Sequence, residues 1–234
     1  MNVRHGLFAA ALLATTASAA MPQPASVFDL QQLPATQGKV AQYSVTPRGD
    51  VDGVILDNGV QVHLPPHLGH QLVAAVKPGD MVTVHGLKAR VLPLIRAGSI
   101  TDEATHKTVE DSGPPPAPPR PLAGQAHWMQ VKGTVREPLY GPRGEINGAL
   151  LQDGTQIHLP PNQAQAMAAD LQPGKTLVAQ GYGVAGPYGK SIGAHRIGES
   201  EAKLVRVGPP GPHGPHGHRP PPPGDGAPPP PPPG

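Results

Sequence analysis

Apolar and polar residues alternate over short distances along much of this chain. In Val60-Gln61-Val62-His63-Leu64 the valines and leucine fall on one side of an extended strand, and Gln61 and His63 on the other. Ile157 and Leu159 alternate in the same way with Gln156 and His158. Hairpin-type turn residues precede each run, Asp57-Asn58-Gly59 in one case and Asp153-Gly154 in the other. A double proline follows each, Pro65-Pro66 or Pro160-Pro161. Proline ends strand pairing and suits a first helical turn, so both stretches read as a strand leading into a helix.

The same order extends outward in both directions. Strands are predicted over 39–46 and 131–137, each running into a Pro-Arg-Gly turn, and then over 51–56 and 145–151. The short strands 60–64 and 155–159 come next. Helical spacing follows, with Leu68, Leu72, Val73 and Val76 in the first case and Ala164, Met167, Ala168 and Leu171 in the second. Pro-Gly closes each helix. A fourth strand is predicted over 81–87 and 175–182, and a fifth over about 98–109 and 189–197.

These parallel readings are one domain written twice. Residues 38–86 match residues 133–181 at 17 of 49 positions without a gap, a constant offset of 95. So long an ungapped match points to duplication of a whole domain rather than of a short solenoid unit. Three strands, a helix and two strands is the order of the OB-fold, a five-stranded Greek-key barrel. The expected fold is therefore mainly β: two tandem OB-like barrels, each with one helix between its third and fourth strands. The domains are placed at 36–109 and 127–207.

Residues Gly141–Pro161 follow a pattern G-P-R-G-E-x-N-G-x-L-L-x-D-G-T-x-x-H-x-P-P. With this pattern the chain resembles exported proteobacterial proteins with tandem OB-fold-like domains, a group to which no activity is attached. The first copy departs from the pattern at Thr46, Asp50, Asp52 and Asn58. The resemblance covers both domains and neither Pro-rich segment. It implies the fold and export.

Composition adds the compartment and narrows the chemistry. Residues 1–20 carry Arg4, a short apolar core at 7–14 and Ala17-Ser18-Ala19, the arrangement of a secretory leader cleaved near residue 19 or 20. That core is far shorter than the roughly 20 apolar residues of a membrane span, and no later segment is apolar enough. The expected location is the periplasm or outside the cell. With Arg4 removed, basic side chains exceed acidic ones by one, which does not fit a general polyanion binder. The absence of cysteine excludes disulfides and metal–thiolate sites. Residues 110–126 read as a Pro-rich linker, and 208–234 as a tail of Gly, Pro and His with too little apolar surface to fold.

Four classes of site follow. The outer face of strands two and three is the usual OB-fold ligand surface, which makes Gln61, His63, Gln156 and His158 ligand candidates. A bland alternative is that each histidine hydrogen-bonds a carbonyl close to its double proline. Binding of single-stranded nucleic acid or another oligomeric anion would use the second copy, with Tyr140 and Arg143 in the first loop and Tyr188 and Lys190 in the fourth. Bases need such aromatic platforms beside cations. Among the aromatic residues Tyr43, Trp128, Tyr140, Tyr182 and Tyr188, the first copy offers no matching loop pair. His213, His216 and His218 form an H-x-x-H-x-H run in the tail, suited to weak copper, nickel or zinc binding. His67 and His70 lie three apart near His63, but the second copy replaces them with Asn162 and Gln165. For catalysis there is no G-x-S-x-G, H-E-x-x-H or phosphate-loop motif, and the acidic residues fall mostly at turns. The resulting expectation is a non-catalytic exported binding or adaptor protein. Its partner would be a protein, glycan or small molecule of the cell envelope, with nucleic acid not favoured.

Overall fold

A computed structural model describes residues 29–113, 122 and 125–207. The leader, most of the Pro-rich linker and the whole His-rich tail lie outside the described residues.

Each copy forms a closed five-stranded barrel. In the first, β1 (Ala35–Val45) lies between β2 (Val51–Leu56) and β4 (Met81–Lys88), and β3 (Gln61–His63) pairs with both β2 and β5 (Leu94–Asp102). The β3–β5 ladder is parallel and closes the ring. In the second, β7 (His127–Tyr140) lies between β8 (Ile146–Leu151) and β10 (Thr176–Gly186), and β9 (Gln156–His158) meets β11 (Gly189–Gly198) in the same parallel closure. Strand order and closure are those of the OB-fold. Short strands, β6 (Thr108–Glu110) and β12 (Val205–Arg206), pair antiparallel beside the last long strand of each barrel.

The helices sit where the double prolines put them. Pro66 opens a single 3-10 turn that leads into α1 (Gly69–Ala75), and Pro161 opens α2 (Pro161–Ala166). Leu68, Leu72 and Val76 enter the first core, and Ala164 and Leu171 the second, as their helical spacing requires. Val62 and Leu64 also face the first core, and Ile157 and Leu159 the second.

Two expectations need correction. The first strand of each copy begins earlier than predicted, because residues 35–38 and 127–130 continue the ladder against β4 and β10. In the first barrel the fifth strand starts at Leu94 and ends at Asp102, and residues 108–110 form a separate strand beyond a turn. Two described residues of the 110–126 segment contact the first barrel. Asp111 donates its N–H to the Gly98 carbonyl, and Leu122 donates to Gly49 and packs on the first core.

Candidate functional site at the seam between the barrels

The first strand of an OB barrel pairs with one neighbour along its early residues and with another along its late ones. Here β1 pairs with β4 over Ala35–Lys39 and with β2 over Val40–Val45. One edge of Tyr43–Val45 therefore has no strand beside it, and its buried backbone groups need other partners. Strand β7 has the same uncovered edge at Pro138–Tyr140.

The Gln-x-His pairs supply those partners, each to the opposite barrel. Gln61 donates from Nε2 to the Pro138 carbonyl at 2.8 Å and accepts the Tyr140 N–H at 2.9 Å. His63 Nε2 donates to the Tyr140 carbonyl at 2.9 Å. In the other direction, Gln156 donates to the Tyr43 carbonyl at 2.9 Å and accepts the Val45 N–H at 3.0 Å. His158 Nε2 donates to the Val45 carbonyl at 3.1 Å. The two sets superpose under the 95-residue offset, so the barrels meet about a pseudo-twofold axis through a self-complementary patch.

Apolar packing follows the same symmetry. Ile55 and Leu150 are counterparts, and with buried Leu139 they form a small cluster of their own in which Ile55 and Leu150 are fully excluded from water. Gln42 reaches the Gly154 carbonyl at 3.2 Å, while its counterpart Glu137 lies over Gly59, the counterpart of Gly154. The β10–β11 hairpin adds Val184 and Tyr188 to the first core, where Tyr188 meets Tyr43 edge-on at 5.7 Å between ring centres. Burial, with Tyr188 and Asp80 nearby, pushes the Tyr43 hydroxyl up to about 12, and it donates to the Val76 carbonyl at 2.7 Å.

These contacts overturn the solvent-facing reading of the Gln-x-His pairs. Both pairs point away from their own barrels, but the surface they point at is the other barrel. Gln61 and Gln156 retain only 3% and 0% exposure. Tyr140 and Tyr188 are not open stacking platforms either, since one packs on the second core and the other on the first. Arg143 projects into solvent with Glu145 at 3.4 Å, while Lys190 sits half-buried on the hairpin. Among the described residues no group of three or more His, Asp or Glu is placed to hold a metal ion. The tail histidines His213, His216 and His218 lie outside those residues.

The seam also leaves partly open space of mixed polar and apolar lining between the barrels. A cavity of about 180 Å³ is lined by Asp52, Gln61, His63, Tyr140, Asn147 and His158. Asp52 and Asn147 are counterparts, and each has a buried Oδ1 with no hydrogen-bond partner among the described residues. His158 keeps part of its surface open to a small cleft, yet burial in the seam pulls its imidazole below the usual histidine range. Asp52 and the Val45 carbonyl oppose that shift, and His63 adds to it.

Where the seam reaches the surface, the two sides differ. On one side a cleft of about 520 Å³ is bordered by Asp52, His63, Arg96 and Asp111 of the first barrel and by Arg143 and Glu145 of the second. The counterpart cleft measures about 250 Å³ and is lined by Pro47, His158, Leu159, Pro160, Gly193, Ala194 and His195. Gly193 occupies the strand position of Arg96, since it pairs with His158 as Arg96 pairs with His63. Asp52 and Arg96 thus have uncharged counterparts in Asn147 and Gly193, whereas Arg143 and Glu145 have charged ones in Arg48 and Asp50, which do not line the smaller cleft. A buried Oε2 of Glu145 also lacks a hydrogen-bond partner there.

Of the expected ligand residues, His63 and Arg143 meet in this cleft. Sequence reasoning missed Asp52, Arg96, Asp111 and Glu145 as a group. The available signal was the departure of Asp52 from the Asn147-type residue of the repeat. No family model matches the chain, and no curated protein matches it either.

Proposed function

We propose that this chain is a non-catalytic, exported binding protein of the cell envelope. Its ligand site is the larger seam cleft, and its ligand is a small molecule with both a cationic and an anionic group, such as an amino acid or short peptide. The observation that carries this reading is that Asp52 and Arg96, which have uncharged counterparts, line only the larger of the two related clefts. Asp52 and Glu145 present buried carboxylate oxygens without partners, which an ammonium or guanidinium group would satisfy. Exposed Arg96 and Arg143 stand at the rim, where they meet a carboxylate. The volume falls in the range of small-molecule sites. Export rests on the leader-like residues 1–20 and on the resemblance to exported proteins.

The test is a thermal-shift comparison of the mature protein with free lysine, a lysine-containing dipeptide, acetate and a neutral sugar. A ligand at about a hundred times its Kd stabilises by about 2.7 kcal/mol, a rise of roughly 5–10 °C for a protein of this size. The zwitterions are expected to give that rise, acetate and sugar none. Asp52→Asn and Arg96→Gly, which copy the second barrel's residues, are expected to remove it. No response at millimolar zwitterion, or an equal response in Asp52→Asn, overturns the reading.

A further inference from the structure

Apart from the seam, the second barrel carries an uncovered aromatic platform. Trp128 and Tyr182 stand opposite each other on β7 and β10 and are 51% and 43% exposed. Their rings meet edge-on at 5.2 Å, and His195 on β11 lies 5.8 Å from each. Two residues along the same strands, Gln180 bonds Gln130 at 2.7 Å and Gln130 bonds Glu201 at 2.8 Å. The platform thus borders a strip of amide and carboxylate groups. Large aromatic rings left half in water are costly unless something covers them.

The chain supplies a fitting cover. The last described residue, Val207, donates its N–H to the His195 carbonyl at 2.9 Å, so the tail departs from the edge of the platform. That tail contains two proline runs, 220–223 and 228–233. Proline runs favour the polyproline II helix, which docks on grooves of Trp and Tyr at low entropic cost. The first run begins 13 residues beyond Val207, within about 40 Å of fully extended chain. A short tether gives an effective concentration in the millimolar range, enough for a weak contact to be well populated. The linker prolines are poorly placed for the same job, because Asp111 and Leu122 of that segment contact the first barrel.

We propose that the C-terminal tail, residues 208–234, folds back in cis and lays its proline runs on the Trp128–Tyr182–His195 platform. The tail then acts as a built-in competitor: an outside ligand with proline-rich chemistry must displace it. This inference is independent of the seam cleft.

Trp128 is the only tryptophan in the chain, so its fluorescence reports on the platform directly. Acrylamide quenching is measured on the full mature chain and on a full-length variant with the prolines of 220–223 and 228–233 changed to serine. The serine variant is expected to quench roughly twofold more readily, as a platform about half-covered or better becomes open. Adding a peptide of residues 208–234 in trans is expected to restore protection saturably. Tyr182→Ala is expected to raise quenching by itself and to make the serine changes silent. Equal quenching of the two full-length chains overturns the proposal. So does protection that disappears on dilution, which assigns the cover to a second copy's tail. Loss of protection only when the prolines of 114–121 are replaced assigns it to the linker instead.

Discussion

Gln61 and Gln156 are counterparts in the repeat, and each amide holds the first strand of the other barrel by the same two bonds. A side-chain amide has one donor end and one acceptor, the same complement as a peptide unit. It therefore replaces a missing strand at the point where β1 or β7 leaves its neighbour. Each histidine adds one more donor two residues on. The "Gln-x-His" repeat is thus a clasp. It has two copies because the interface is self-complementary, so every contact on one barrel requires its twin on the other.

Gln156→Ala leaves the Val45 N–H and Tyr43 carbonyl buried and unpaired. Each such group costs about 1–3 kcal/mol, so a loss of several kcal/mol is expected in urea unfolding. Gln61→Ala is expected to cost less, since its partners are only partly buried. Equal and negligible losses in both variants would show that water replaces the amides without penalty and that the clasp contributes nothing.

Ile55 and Leu150 tie the barrels together without hydrogen bonds. Truncating either to alanine is expected to cost about 2–5 kcal/mol. Ile55→Lys should do more, because an unpaired ammonium in this buried cluster favours separation of the barrels. Small-angle scattering then shows a larger radius of gyration with both barrels still folded, and unfolding splits into two steps. An unchanged radius with a single transition would mean that the other seam contacts suffice.

Much of this architecture is legible in the residues. Turn dipeptides, double prolines and strict alternation at Val60–Leu64 give the hairpin, the helix entry and the barrel. What alternation does not give is the identity of the far side. Gln61 and His63 are polar, and polar residues on an outer face read as solvated. The better signal lies one strand earlier, in Val54-Ile55-Leu56 and Ala149-Leu150-Leu151. These runs are apolar on both faces, which marks a strand buried on both sides. The charged cleft was harder to see, since its residues come from five separate places in sequence and only the seam brings them together. The aromatic platform was hidden for a similar reason: Trp128 and Tyr182 become neighbours only through the β7–β10 register.

Gly53 and Gly148 illustrate a constraint inside each barrel. A methyl group at these positions would lie 1.9 Å from the carbonyl oxygen of Val62 or Ile157. Either Gly→Ala change must push β2 from β3, or β8 from β9, and with it the Gln-x-His clasp. A loss of about 3 kcal/mol or more is expected. Gly79→Ala is the control: it has open space around it and a φ of +100°, so only the left-handed backbone resists, at about 1–2 kcal/mol. Similar melting temperatures for the two kinds of variant would overturn the close-approach argument.

The clasp also makes the seam sensitive to acid. His158 donates from Nε2 to Val45, and protonation would place a second N–H and a full charge in a buried site that also contains His63. Its imidazole accordingly lies below the ordinary 6.5, with burial the largest cause. The unfolded chain regains that ordinary value, so below it the unfolded state binds the extra proton and the folded state does not. Stability from this group is therefore complete above about pH 6.5 and falls as pH drops toward the depressed folded value. Thermal unfolding between pH 7.5 and 5 is expected to show a declining melting temperature, with a shallower decline in His158→Gln. Asp52 is the charge that favours protonation in place, so Asp52→Asn is expected to steepen the decline. A His158→Gln variant with the full wild-type pH slope would assign the acid sensitivity to another group and leave His158 as a neutral donor only.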